Sequence, residues 1–221
     1  MKKFWKVSAN AVLAAALVSS VALVTPAQAA TVSQDFSQVQ VDKNLKNNVL
    51  TNISAMSAYI TTGEDGLLHI DQNAVNVVGK ETFEVYERGV ASLNKAISVG
   101  DIKVANGTLV VDKSQLTIPS GSQISPAAYG SFYWWGYALT LTQQESANLA
   151  YNLTQSGTVM AAAAAISGLI PTPPTKLVQA IAYAVSLGVG LLANKINFEN
   201  KGNGVTLNIH YVGFINVTSN P

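Results

Sequence analysis

GTVMAAAAAISGLIPTPPTKLVQAIAYAVSLGVGLLANKI, residues 157–196, holds two Ala-rich apolar segments separated by Pro171, Pro173 and Pro174, with Lys176 and Lys195 as its only charges. Proline breaks a helix because it lacks an amide donor and its ring collides with the preceding turn. The run therefore predicts a helical hairpin with arms over 158–170 and 177–193. At 1.5 Å per residue the first arm is about 20 Å long and the second about 25 Å. A helix that spans a bilayer needs roughly 17–25 residues, so the first arm is too short and the second sits at the lower limit. On the second arm Lys176, Gln179, Tyr183, Ser186 and Gly190 recur at helical spacing. They predict a seam for helix pairing, because small residues permit close approach and an amide bonds across. Two readings stay open at this point: a pair buried beneath a small sheet, or a pair that is packed in water and opens onto lipid.

The rest of the composition frames that choice. Charged residues are only 11% of the chain, against roughly 25% in a typical soluble domain. Residues 1–29 carry Lys2, Lys3 and Lys6, an apolar stretch over 11–24, and Ala27-Gln28-Ala29. A basic start, an apolar middle and a small-x-small site are the parts of a secretory signal peptide cleaved near Ala29, so the chain is expected to be secreted and extracellular. Without that segment 10 basic residues face 12 acidic ones, and nothing points to nucleic acid. No cysteine is present, so no disulfide braces the expected exported chain.

After a polar lead over 30–40, Asp42 reads as an N-cap for a helix whose apolar face is Leu45, Val49, Ile53, Met56 and Ile60. A Gly-Glu-Asp-Gly turn at 63–66 precedes a short strand at 67–70, and Asp71 caps a brief helical stretch through Val78. Phe83, Tyr86, Val90, Leu93 and Ile97 then mark a clear amphipathic helix. Asn106-Gly107 between two β-patterned segments predicts a tight hairpin over 102–111, since both turn positions favour positive φ. This hairpin and strand 67–70 are expected to make one small sheet under the helices, closing an N-terminal α+β module over 41–112.

Residues 113–128 are rich in Ser, Pro and Gly and read as a linker. The C-terminal module, 129–221, opens with an aromatic strand over 131–141. Thr142 and Glu145 form a capping box for a helix ending near Gly157. After the apolar hairpin, Val205, Leu207, Ile209, Tyr211, Ile215 and Val217 alternate with Thr206, Asn208, His210 and Asn216, which predicts one half-buried strand over 204–217. The expected architecture is α+β: a small N-terminal helix and hairpin domain, plus a C-terminal antiparallel strand pair packed with an apolar helical hairpin. Only three basic and two acidic side chains fall in 129–221, few enough to suggest contact with a membrane, a partner or copies of itself.

No catalytic constellation, metal-ligand spacing or phosphate loop is visible, so a non-enzymatic role without cofactor or metal is expected. The residues assigned to membrane or partner contact are Tyr133, Trp134, Trp135, Tyr137, Lys176, Gln179, Tyr183 and Lys195. The aromatic four suit strand packing, an interfacial girdle or a stacking platform for carbohydrate. The signal peptide, the Trp134-Trp135-Gly136 strand, the proline-broken Gly/Ala-rich hairpin and the closing Asn203-Gly204-Val205 strand together resemble a group of uncharacterised secreted proteins of Gram-positive bacteria, some labelled bacteriocin-like. That resemblance implies a secreted antimicrobial or membrane-active polypeptide, with no catalytic residues to carry over. The alternative expectation is an extracellular binding or structural protein of the cell envelope whose hairpin is permanently buried.

Overall fold

Five consecutive alanines, Ala161 to Ala165, lie in helix α6 (Val159–Leu169) with no exposed surface, and Ile166 and Leu169 continue the same buried column. Residues 43–121, 124–155 and 157–221 are described in the computed structural model. The signal peptide 1–29, the lead 30–40 and the Asp42 cap lie outside them.

The principal partner of α6 is α4 (Lys80–Ser98), from the first half of the chain. The two backbones meet at glycines. A Cβ on Gly89 would lie 1.9 Å from the carbonyl oxygen of Ala164, and one on Gly168 would lie 2.0 Å from that of Val85. Small residues thus set this crossing, and the larger α4 residues Phe83, Tyr86, Val90 and Leu93 are buried around it.

The apolar run forms three helices rather than the expected two. After the proline break, α7 (Thr175–Ser186) is followed by α8 (Val189–Glu199), and the two meet at a bend of 91°. Gly188, a poor helix former, sits at the bend with φ +155°. Among the described residues no single helix is long and apolar enough to cross a membrane; the bent pair passes the length and composition test only as a pair. Two residues of the seam on α7 reach the first half of the chain. Lys176 pairs with Asp101 at 2.8 Å, and the Gln179 side-chain amide donates to the Asp101 carbonyl at 3.1 Å.

Two predicted strands prove to be hairpins. The aromatic segment folds into β6 (Gly130–Tyr133) and β7 (Gly136–Leu141), and the C-terminal segment into β8 (Val205–His210) and β9 (Phe214–Ser219). β5 (Ser125–Ala127), within the expected linker, completes an antiparallel sheet in the order β5-β6-β7-β8-β9. Both turns escape a period-2 reading because aromatic or β-branched residues continue on either side of them, with no Asn-Gly pair to mark a break. α5 (Gln143–Leu153) follows β7 with its expected capping box: Thr142 Oγ1 accepts from the Glu145 amide, and the Glu145 carboxylate accepts from the Thr142 amide. Tyr137, Leu139, Leu141, Val205, Leu207, Ile209 and Val217 form the buried inner face of the sheet, which packs on α5, α7 and α8.

The first half keeps most of its predicted pattern. α1 (Lys43–Thr51) and α2 (Ile53–Met56) divide the first helix, and Ile60 belongs to β1 (Ile60–Thr62). β1 pairs with β2 (Leu68–Ile70), while β3 (Lys103–Ala105) and β4 (Thr108–Val110) pair around Asn106 (φ 51°) and Gly107 (φ 72°). These are two separate two-stranded sheets, not the single small sheet expected, because the edge of β2 is covered by Asn94 of α4, whose side chain bonds both the amide and the carbonyl of Leu68. α3 (Val75–Val78) precedes α4.

The α+β character holds, but the expected fold of a small N-terminal domain plus a separate C-terminal strand-pair and hairpin module is corrected. Eight helices and three sheets among the described residues are distributed along the chain, and elements from both halves share one core. The physical cause is the α4–α6 crossing, where a helix from each half buries apolar surface against the other. Lys46 reinforces the joint. Its ammonium lies 2.9 Å from Glu145, donates to the Thr140 carbonyl at 2.7 Å and sits over the Tyr129 ring.

Replacing Gly in a helix by Ala ordinarily gains up to about 1 kcal/mol. At the crossing the added methyl meets a carbonyl oxygen, and overpacking costs about 1–3 kcal/mol or more. Gly89→Ala and Gly168→Ala are therefore expected to lower the urea midpoint, whereas Gly190→Ala, whose new Cβ meets nothing within 4 Å, leaves it unchanged or raises it. Lys46→Met strands the carboxylate of Glu145, whose side chain is 3% exposed, at a cost of about 3 kcal/mol. The double variant Lys46→Met/Glu145→Gln should recover part of that loss in the same denaturation assay.

Candidate functional site

The outer face of the five-stranded sheet is built from the side chains that the period-2 alternation turns away from the core. Three rows of paired positions cross it. The first runs Tyr133, Gly136, His210, Phe214; the second Ser131, Ala138, Asn208, Asn216; the third Thr140, Thr206, Thr218. Among these residues only His210 is titratable near neutral pH, and none carries a fixed charge.

The first row is a continuous aromatic stack even though one of its positions is glycine. Trp135, in the β6–β7 turn, stands between Tyr133 and His210, with ring centroids 4.9 Å and 4.5 Å away, and His210 stacks on Phe214 at 4.0 Å. Neighbouring strands are about 4.8 Å apart, so one ring over Gly136 fills the slot between two side chains that are two strands apart. Gly136 is required there. A Cβ would lie 1.8 Å from the Ile209 carbonyl oxygen, and φ is +152°. The turn is pinned by the Tyr211 amide, which donates to the Trp135 carbonyl at 2.9 Å. Each aromatic contact contributes about 0.5–1.5 kcal/mol beyond its burial.

The polar rows are linked to one another. Thr140 and Thr206 hydroxyls are 3.3 Å apart, Thr206 donates to Asn220 Oδ1 at 2.8 Å, and Asn208 Nδ2 donates to Thr218 at 3.3 Å. Together with Ser131, Ala138, Tyr133 and Trp135 these residues line a depression of about 460 Å³.

The residues expected to make contacts do not converge on one site. Tyr133 and Trp135 enter the stack, and Trp134 stands at the tip of the turn, 58% exposed. Tyr137 points into the core, edge-on to Phe132 with centroids 4.8 Å apart, and burial pushes its phenol pKa up. Lys176 and Gln179 are occupied by Asp101. Tyr183 is half-buried against Gly213 in the β8–β9 turn. Lys195 pairs with Glu199 at 2.6 Å and lies over Phe198. Sequence reasoning left out His210, Phe214 and the Thr/Asn rows as site residues. The alternation that places Thr206, Asn208 and His210 together was visible, but the hairpin that brings β9 beside them was not.

A second surface lies at the α7–α8 elbow. Leu187 and Leu191 are exposed there, Leu191 at 73%, and Phe214 reaches it from the end of the aromatic stack, while Phe198, 71% exposed, lies near the far end of α8. Leu187, Leu191, Lys195 and Phe214 border a recess of about 230 Å³.

Comparison with protein-family models, with curated proteins and with solved structures finds no match for this chain.

Partial burial holds the His210 imidazole below its ordinary value near 6.5. The unfolded chain therefore takes up the proton at a higher pH than the folded chain does, so the folded state loses stability as pH falls through and below about 6.5. His210→Phe keeps an aromatic ring in the stack and removes that proton. The loss of urea midpoint between about pH 7.5 and pH 5 is expected to be smaller in His210→Phe than in the wild type.

Proposed function

We propose that this chain is an exported, non-enzymatic binding protein of the bacterial cell envelope, which keeps its apolar helices in the core and engages its target with the outer face of the five-stranded sheet. Export rests on the N-terminal signal pattern at 1–29. The observation that carries the binding assignment is the depression beside the aromatic stack, a preformed concave surface with an aromatic wall and fixed polar groups. Burial of all of Ala161 to Leu169 supports a permanently packed hairpin, because opening it would expose α4 and α6 together and forfeit much of the core.

The test is cosedimentation of the protein with purified Gram-positive cell-envelope particles. Wild type is expected to sediment with them, and Trp135→Ala and Thr218→Lys to reduce the bound fraction at least about tenfold. Thr218 is exposed, so the lysine variant alters the face without emptying the core. Binding by both variants equal to wild type would overturn the assignment.

A second reading, the membrane-active one implied by bacteriocin-like proteins, is favoured by exposed Leu187 and Leu191 at the elbow and by Phe198 farther along α8, with Lys201 and the Glu199-paired Lys195 over the Phe198 ring. Apolar side chains flanked by cations suit the surface of an anionic bilayer. It predicts flotation with phosphatidylglycerol vesicles, lost in Leu191→Asn/Phe198→Ser, and no dye release while the hairpin stays packed.

A further inference from the structure

We infer that the outer sheet face takes a neutral, hydroxyl-rich polysaccharide. The inference rests on the envelope-binding reading above and names the ligand class of that same face. Its first support is charge. Ser131, Ala138, Thr140, Thr206, Asn208, Asn216 and Thr218 cover the polar rows without one ionised side chain. Lys46, which reaches the Thr140 carbonyl at the border, is neutralised by Glu145 at 2.9 Å. Among the described residues a phosphorylated or acidic polymer finds no free cation on this face to replace its lost hydration, and burying an unpaired charge is costly. Neutral hydroxyls lose far less.

The second support is the kind of polar group present. A threonine hydroxyl both donates and accepts, and so does an asparagine amide. Sugar hydroxyls have the same dual character, so either direction of each bond can be satisfied. The Thr140–Thr206–Asn220 and Asn208–Thr218 links hold these groups in place before any ligand arrives, which lowers the ordering cost of binding. Asn216, exposed beside Asn208, has its side-chain amide free among the described residues. A purely apolar ligand would leave this row unpaired, at a cost for each group it desolvates.

The third support is the wall. Tyr133 and Trp135 border the depression while Ala138, the smallest side chain of its row, forms part of the floor. Trp135 spends both ring faces on Tyr133 and His210, so it offers a rigid edge, and Tyr133, at the end of the stack, offers its far side. A pyranose carries C–H groups on its flat faces and hydroxyls around its rim. The C–H faces match the aromatic wall and the rim matches the hydroxyl floor. At about 460 Å³ the depression falls within the roughly 300–1,000 Å³ of small-ligand clefts, and its position on a sheet surface leaves room for a chain that continues beyond it.

Native affinity electrophoresis tests this with the full exported chain in gels containing dextran, yeast mannan or glycol chitin, beside gels containing polygalacturonate. At least one of the three neutral polymers is expected to retard the protein and polygalacturonate not to. Thr218→Lys and Asn208→Asp should each weaken the retardation at least about tenfold. In an exported chain that starts after Ala29 and carries Trp134→Phe, Trp135 is the sole tryptophan, and its emission should shift on adding the retarding polymer. Retardation by none of the neutral polymers, or equal retardation by polygalacturonate, overturns the inference. If envelope cosedimentation is still lost in Thr218→Lys, the face remains the binding face and only the ligand class is wrong; if cosedimentation is unaffected in both Thr218→Lys and Trp135→Ala, the assignment of this face as the binding face itself fails. A wild type that sediments as a dimer in analytical ultracentrifugation and a Thr218→Lys variant that sediments as a monomer, with no retardation by polymer, would assign the face to a second copy of the chain instead.

Discussion

The contact between α4 and α6 is the constraint on which the other packing depends. Two helix backbones approach so closely that a methyl group at Gly89 or Gly168 would overlap a carbonyl oxygen of the opposite helix. Ridges of small side chains allow such an approach, and the run Ala161 to Ala165 supplies them on one side. Once α6 is held there, its opposite flank is buried by α7, and α7 in turn carries the inner face of the sheet through β8 and β9. An apolar, uncharged helix that would suit a bilayer by composition alone is thereby saturated by protein on every side.

The scarcity of charge in the second half has a related cause. Much of 129–221 is interior: α6, most of α7 and the inward-facing side chains of three strands, β7, β8 and β9. The charges it does contain are used with care. Lys176 reaches back to Asp101 and Glu145 reaches back to Lys46, so two of its five charged side chains join the halves of the chain. Lys195 and Glu199 pair with each other on α8. The remaining polar surface of the sheet is met by threonine, serine and asparagine, which a hydrogen-bonded network can satisfy without ions.

The aromatic stack shows how a local defect becomes a feature. A four-strand row with glycine at its second position has a gap one ring wide, and the neighbouring turn residue Trp135 fills it. Glycine is there because the strand backbone leaves no room for a Cβ against Ile209. The same row ends on Phe214, which also borders the apolar recess at the elbow. The two candidate surfaces of the molecule are therefore mechanically continuous through one line of rings.

Local signals in the sequence determined the local structures that need few partners. The capping box at Thr142 and Glu145, the Asn106-Gly107 hairpin, the Asp71 cap and the α4 stripe of Phe83, Tyr86, Val90 and Leu93 each depend on residues within a turn or two of one another. The alternation that puts Thr206, Asn208 and His210 on one face of β8 is of the same kind. What only the tertiary structure decided is everything set by distant pairing. The turns at Trp134-Trp135 and 211–213 double two strands into four, the α7–α8 bend turns one arm into two helices, and α4 rather than a strand pair receives α6. Periodicity reports which side of an element is buried and is silent on what buries it. The candidate site lies on that silent part, since its rows exist only once β6, β7, β8 and β9 lie side by side in register.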